Sequence, residues 1–326
     1  MKVLILGAAG MIGRKLTSLI LSEGISAEIP NHMVLHDVVA PECIEGGDCE
    51  ITLLGGNIAD AAESVKLAVI RPDVVFHLAA IVSGEAEQEF AKGWDINARG
   101  GWQLLEALRH EHNSSNGSYR PRFVFSSSIA VFGGPYPEKV PDDFLCAPQT
   151  SYGAQKAMFE LLVNEYSRKG IIDGLSLRLP TITVRPGKPN LAASSFFSGI
   201  IREPLDGEKA ILPVPETTRH WFASPRSAAK FLLHAAGIET SLLGGRRSLN
   251  MPGVSCTVGE QIEALRSVAG EDVVRHIVNN PDETIMRIVG GWPEAFNPVL
   301  AIKLGFVAEG DFEEIIKVYL EDDFQI

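Results

Sequence analysis

The chain reads as an α/β protein built on a doubly wound parallel sheet, with a smaller, discontinuous C-terminal lobe. Three observations predict this. The first thirteen residues, MKVLILGAAGMIG, pass from a buried apolar run through a glycine-rich turn into an apolar stretch at helical spacing. Strand-length apolar runs then alternate with helical patterns as far as Ser128, and strict alternation closes a parallel sheet with right-handed crossovers. The 326 residues, 45% hydrophobic and 21% charged, suffice for one large domain or for a nucleotide-type domain plus a second lobe.

The first strand is expected over residues 3–6, and Gly7, Gly10 and Gly13 follow it. Gly7 permits a tight turn, Gly10 lets a pyrophosphate approach the backbone, and Gly13 lets the helix pack closely on the sheet. The phosphates would then sit on the N–H groups around Met11 and Ile12, at the positive end of the helix. Such a triplet also occurs in turns that bind nothing, so its position straight after a strand matters. The helix continues through residues 14–22 and stops at Glu23-Gly24. A second strand over 33–36 ends in Asp37, where a carboxylate accepts hydrogen bonds from an adenosine ribose. No arginine follows to take a 2′-phosphate, so the expected cofactor is NAD rather than NADP.

Residues 41–48 form a turn-rich excursion, and a third strand over 50–54 leads to Asn57 and Ile58, expected beside an adenine ring. In that setting the Asn57 amide could bond the adenine amino group. A helix over 61–70 ends before Pro72. The fourth strand, 74–80, is apolar throughout, as a strand covered on both faces should be. Its end, Leu78-Ala79-Ala80, is small enough to let a cofactor pass, while His77 is expected in the core or holding a loop. One long helix is expected over 85–109, carrying Asn97, then a polar loop over 111–119 and a fifth strand at 123–125 ending in Ser126-Ser127-Ser128.

Tyr152 and Lys156 lie four apart at the start of a helix expected to run to about residue 167, which puts both on one face. A tyrosine titrates near ~10 when undisturbed, and a neighbouring ammonium favours the phenolate, bringing it within reach of a general base. Ser128, at a strand end, could bond the reacting oxygen. Tyrosine and lysine at this spacing are common on solvated helices, and serines at strand ends are common caps. Together, and behind a glycine loop and a ribose carboxylate, they point to dehydrogenase chemistry.

Composition excludes several classes. A formal charge of −12 argues against a nucleic-acid partner. The longest apolar runs are of strand length, and the N-terminus enters the first strand with no cationic segment or cleavage site, so a cytoplasmic protein is expected. Cys43, Cys49, Cys146 and Cys256 are too scattered for a zinc site and are expected as free thiols; the histidines do not cluster, and no metal is expected.

Gly7-Ala-Ala-Gly10-Met-Ile-Gly13, His77-Leu-Ala-Ala80, Ser126-Ser-Ser-Ile-Ala-Val-Phe-Gly133 and Tyr152-Gly-Ala-Gln-Lys156 together resemble the extended short-chain dehydrogenase/reductase family, which includes nucleotide-sugar epimerases and dehydratases. The resemblance implies a Rossmann-type fold, NAD, and a catalytic set of Ser128, Tyr152 and Lys156, with Asn97 matching an asparagine that supports the active-site helix. Phe132 stands where many sugar-nucleotide members have tyrosine, and Asn57 where many have aspartate. Longer stretches, at residues 79–87, 130–143, 148–170 and 177–207, resemble a sugar-acid dehydrogenase branch. That narrower resemblance implies NAD-dependent oxidation of the C2 hydroxyl of a four-carbon sugar acid. A nucleotide-sugar 4-epimerase or dehydratase, and a dinucleotide-sensing protein without turnover, are the alternatives.

A sixth strand at 177–179 leads to Pro180 and Thr181, where the chain would leave the nicotinamide side, with Arg178 expected to fix neighbouring backbone. Arg185, Pro186, Gly187, Lys188 and Pro189 read as a rigid basic loop, followed by the hydroxyls of Ser194, Ser195 and Ser198. A small hydroxy acid needs a cation for its carboxylate and hydroxyl partners for its polyol. Arg185 is the first choice, with Lys188 and Arg219 behind it, and Ser83, Thr181 and Ser195 are expected to touch substrate. The division expected is an NAD-binding domain over 1–178, rejoined by elements near 219–251, and a substrate lobe over most of 179–326. Segments at 221–225 and 249–251 read as strands, and 226–237, 257–269 and 311–321 as helices. The helices bearing Asn97 and Tyr152 offer a homodimer surface.

Overall fold

The computed structural model describes residues 1–42, 44–45, 47–188 and 192–324; the expectations for Cys43 and Pro189 lie outside them. The chain divides into two compact units: Met1–Val131, Thr150–Arg178 and Ala229–Leu249 form the first, and Phe132–Gln149, Leu179–Ala228 and Asn250–Ile326 the second.

The first unit is built on a seven-stranded sheet. Its strands are β1 (Lys2–Leu6), β2 (His32–Asp37), β3 (Glu50–Gly55), β4 (Val74–His77), β5 (Arg122–Ser128), β6 (Asp173–Leu179) and the edge strand β7 (Ser248–Asn250). Their spatial order is β7-β6-β5-β4-β1-β2-β3, and the β1–β2, β1–β4, β2–β3 and β4–β5 pairs are parallel. Strand order reverses direction between β1 and β4, the switch point where open α/β sheets bind ligands. Register matters as much as order. His36, Leu6, His77 and Phe125 face one another across β2, β1, β4 and β5, so Asp37, Gly7, Leu78 and Ser126 follow as one row at the C-terminal edge of the sheet. Val3 to Leu6 are fully buried, the cause of the continuous apolar run.

Helices α1 (Met11–Glu23), α2 (Ala61–Val69), α3 (Ser83–Gln88), α4 (Phe90–Gly93), α5 (Gly101–Ser114) and α6 (Ser151–Arg168) belong to this unit. The single helix expected over 85–109 is instead broken: between α4 and α5 the residues Trp94–Gly100 form a π-helical segment. The extra backbone in that turn lets Asn97 point inward while Leu104, Leu105 and Leu108 of α5 stay in the core. α5 also runs through Ser114, shortening the loop expected at 111–119. β4 ends at His77 rather than residue 80, with only the Leu78 N–H still bonded to Leu6 O.

The second unit holds a three-stranded sheet of Thr181–Ile182, Arg219–Ala223 and Val254–Thr257, and two short ladders pairing Ala210–Leu212 with Ile277–Asn279 and Val140–Pro141 with Phe296–Asn297. Helices Ser195–Leu205, Val258–Ala269 and Phe312–Asp322 enclose a core that includes Phe197, Phe222, Leu265, Ile315 and Ile316. Thr257 and Glu260 make a capping box, which accounts for the helix start read near residue 257.

Two differences in the division follow from pairing. Residues 132–149 belong to the second unit because Val140–Pro141 pairs with Phe296–Asn297 and Phe132 packs on Phe144 and Phe296. Residues 219–228 stay there as well, since Arg219–Ala223 is the middle strand of its sheet, so the return to the first unit begins at Ala229 rather than near 219.

Candidate active site

Three glycines at the head of α1 have three different reasons. Gly7 has φ of +86°, and a Cβ there would lie 2.8 Å from the Ala79 nitrogen, so both its conformation and the passing 78–79 backbone require glycine. At Gly13 a Cβ would lie 2.2 Å from Gly7 O, so the helix could not seat on the turn. Gly10 is exposed and has an ordinary φ of −70°, and a Cβ there would meet nothing nearer than Gly7 O at 3.4 Å. The protein's own packing therefore does not demand glycine at 10, and the open backbone there leaves room for a ligand to approach. α1 has no side-chain cap and no acidic residue in its first turn, leaving its N-terminal N–H groups for an anion. Met11 and Ile12 are half-buried beside them.

Asp37 Oδ2 accepts the Ala9 N–H at 2.9 Å and Oδ1 accepts the Val38 N–H at 2.7 Å, which fixes the carboxylate beside the glycine turn. Asn57 Oδ1 accepts from the Ala59 N–H at 3.0 Å. Its side-chain oxygen is thus engaged by its own loop. The Ile58 side chain is buried in the core with Leu67 and Leu105, so the adenine contact expected at Ile58 would be made by its backbone. Leu78, Ala79 and Ala80 are half-buried along the strand end. Asn97 lies behind that segment. Its Oδ1 accepts the Ile81 N–H, and its Nδ2 donates to Ile81 O and to Gln155 Oε1, so it ties the loop after β4 to α6.

Tyr152 and Lys156 stand on the first two turns of α6, whose start is capped by Thr150 accepting from the Gly153 N–H. The Lys156 ammonium is buried, donates to Ser126 O at 2.7 Å, and lies 5.4 Å from the centre of the Tyr152 ring and 4.6 Å from that of Phe125. Burial pushes its pKa down to about 7, with the Glu160 carboxylate opposing the shift. Ser128 ends β5, and its Oγ accepts the Ala130 N–H at 3.1 Å, which orients the hydroxyl. The catalytic set expected from the sequence thus lies within one compact unit. His77 is buried among Phe123, Phe125 and Phe159, and burial together with the Lys156 charge pushes its pKa down to about 3. It is a neutral core residue.

Sequence reasoning missed the layer behind this face. Glu160, one turn beyond Lys156, is buried and accepts from Ser127 Oγ at 2.5 Å and from Arg178 at 2.8–3.1 Å. Arg178, expected to fix neighbouring backbone, forms this buried ion pair. The signal available was an acid at i+4 from Lys156 and a charge within an apolar strand. Gln155 was missed as well.

Ser83 opens α3 and is half-buried. On the second unit, Pro180 is buried and Thr181 is half-buried with its Oγ1 2.6 Å from His220 Nε2. His220 Nδ1 lies 3.2 Å from the Pro293 carbonyl, which can only accept, so Nδ1 carries the proton and Nε2 accepts from Thr181. Burial pushes the His220 pKa down to about 4, which keeps the ring neutral near pH 7. Thr181 is therefore a donor inward and presents only lone pairs outward. Arg185 Nε donates to Ile182 O. The stretch expected as a loop of hydroxyls is partly helical: Ser195 is the first residue of Ser195–Leu205, and Ser198 is buried, bonded to Thr183 and the Arg185 N–H. Arg219 is committed to Ser255 O and Glu260. Lys188 is exposed.

The model of the NAD dependent epimerase/dehydratase family matches residues 3–235. A D-erythronate dehydrogenase of Cupriavidus necator is 43% identical over 99% of this chain and 98% of its own, and one of Haemophilus influenzae is 40% identical over 99% and 100%. A crystal structure described as a nucleoside-diphosphate-sugar epimerase from Agrobacterium tumefaciens superposes with a TM-score of 0.95 at 53% identity, covering 99% of this chain and 94% of that one.

Proposed function

The chain belongs to the NAD dependent epimerase/dehydratase family, and from that we propose that it is an NAD-dependent dehydrogenase that oxidises the C2 hydroxyl of D-erythronate to 2-oxo-erythronate. The observation that carries the reading is full-length similarity to two D-erythronate dehydrogenases, together with an uninterrupted Ser128, Tyr152 and Lys156 set. Bound NAD would supply the hydride acceptor. Gly10 and the N–H groups at the start of α1 would take its pyrophosphate, Asp37 its adenosine ribose, Asn57 its adenine, and Leu78 to Ala80 its passage over the strand ends.

In this reading Tyr152 removes the proton of the C2 hydroxyl, and Ser128 holds that oxygen by a hydrogen bond. Lys156, when protonated, favours the Tyr152 phenolate through its nearby charge. The buried aromatic wall of Phe125 and Phe159 lowers the local dielectric and strengthens that effect. Ser83, Thr181, Arg185 and Ser195 are assigned to substrate: the guanidinium for the carboxylate, and Thr181, with its outward lone pairs, for a hydroxyl that donates. Lys188 stands behind Arg185 as the second cation. A homodimer in the cytoplasm is part of the same reading; Phe90, Trp102 and Leu161 are exposed on α4, α5 and α6. Among the described residues no helix is long and apolar enough to cross a membrane.

A second reading, nucleotide-sugar epimerase, is favoured by the description of the A. tumefaciens structure. It uses the same Ser128, Tyr152 and Lys156. Incubating purified protein with free NAD and D-erythronate should produce NADH absorbance, while UDP- and TDP-sugars remain unchanged. Epimerised sugar and no NADH would overturn the dehydrogenase assignment.

A further inference from the structure

We propose that Glu160 is a positioning residue for the reaction: through Ser127 it holds the end of β5, and with it Ser128, in register against the face of α6 that carries Tyr152 and Lys156. The inference rests on the catalytic roles assigned above to those three residues. Arg178 on β6 approaches both carboxylate oxygens of Glu160, with Nε 3.0 Å from Oε1 and 3.1 Å from Oε2, and Nη2 2.8 Å from Oε2. That fork fixes the plane of the carboxylate. Oε1, so oriented, accepts the Ser127 hydroxyl at 2.5 Å. Ser127, Glu160 and Arg178 are all buried, at 2%, 4% and 8% exposure, so the three groups meet with little competition from water.

The clasp acts where the geometry is most demanding. Two consecutive residues of β5 attach to two positions one helical turn apart on α6: Ser126 O receives the Lys156 ammonium, and Ser127 Oγ bonds Glu160. The β4 ladder reaches Phe125 and the Ser126 hydroxyl bonds His77 O, so the end of β5 is held toward β4. Its attachment to α6 through Lys156 belongs to a side chain with a catalytic role in the proposed reaction. The second attachment makes the register independent of Lys156. Ser128, the next residue, then takes its place relative to Tyr152 from a fixed strand. Buried ion pairs add little net stability compared with apolar replacements, so their worth lies in what they orient. Here three elements, β5, α6 and β6, meet at one carboxylate directly behind the reacting residues.

The test compares wild type with Ser127→Ala, which removes only the hydroxyl, and with Glu160→Gln. Because Glu160→Gln leaves the Arg178 cation buried without its partner, the double variant Glu160→Gln/Arg178→Gln is made as well. The assay substrate is whichever of D-erythronate and the nucleotide sugars the wild type turns over, so failure of the substrate reading leaves this test intact. Tyr152→Phe runs alongside; full activity in it would refute the catalytic roles, separately from the clasp. Ser127→Ala is expected to lower kcat by about 10- to 100-fold, the cost of loosened alignment, with NAD affinity unchanged and a melting temperature lowered only as far as the loss of one buried hydrogen bond requires. The kinetic isotope effect on kcat, with substrate deuterated at the carbon that gives up hydride (C2 of D-erythronate, C4 of a nucleotide sugar), should rise as the chemical step becomes limiting. The double variant should show the same kcat loss. Wild-type kcat in Ser127→Ala would overturn the proposal, as would a loss of kcat matched by an equal loss of NAD affinity.

Discussion

Lys156 is placed where burial and function pull against each other. An ammonium behind a phenolate must be close and desolvated to act on it, and the same desolvation pushes its pKa down to about 7. Between about 7 and the unfolded value near ~10.4, the unfolded chain binds a proton that the native state does not. Stability contributed by this group therefore rises with pH across that window and is constant below it. Chemical denaturation of wild type and Lys156→Met at pH 6.5 and pH 9 should show the wild type gaining on the variant, by at most about 1.4 kcal/mol per pH unit. Equal pH slopes would refute the shift. Tyr152→Phe keeps the ring and removes the hydroxyl proposed as acid/base group, so the rate should fall by about 100- to 10,000-fold while NAD titration is unchanged. Ser128, Tyr152 and Lys156 were legible as residue types at a fixed spacing. Ser127, Gln155 and Glu160 were not, because their roles exist only through neighbours 18 to 58 residues away in the chain.

The turn between β1 and α1 holds glycines that the fold requires, Gly7 and Gly13, and one, Gly10, that the fold does not require and that is proposed to serve the cofactor. Gly13→Ala would force a methyl to 2.2 Å from Gly7 O, so the helix must shift and the melting temperature should drop steeply. Gly10→Ala adds a methyl in an allowed conformation with nothing closer than 3.4 Å. It is expected to melt like the wild type yet bind NAD at least about tenfold more weakly, since the backbone can no longer be approached. Thermal melts and NAD titrations of the two variants check this; a weakened melt with intact NAD binding in Gly10→Ala would contradict it. The break between α4 and α5 marks the limit of periodicity. Apolar spacing over 85–109 is read through as one helix, because the π-helical turn at Trp94–Gly100 is set by the Asn97 bonds to Ile81 and Gln155. Those partners lie 16 and 58 residues away.

Over the whole molecule, the chain enters the first unit three times, and the last entry is structural. Arg122 donates to the carbonyls of Ala235 and Ile238, Asp173 pairs with Arg247 and accepts from Thr240, and the Ser176 N–H bonds Arg247 O. A fragment ending at Arg178 would lack β7 and these partners, and should show no cooperative unfolding transition, although it contains every residue of the catalytic set. A cooperative melt of that fragment would show that the returning segment is dispensable. The sequence by itself determined the parallel doubly wound class, and it placed the glycine turn, Asp37 and the Ser128, Tyr152 and Lys156 residues for which cofactor and catalytic roles are proposed, because each is written in local spacing: a strand-length run, a glycine triplet, an i, i+4 pair. Tertiary structure alone decided that residues 132–149 and 219–228 serve the second unit, that Ile58 faces the core, and that Glu160 and Arg178 stand behind the catalytic face. Those outcomes depend on which strands pair and which buried charges meet, and chain-distant pairing leaves no periodic signature for a sequence to display.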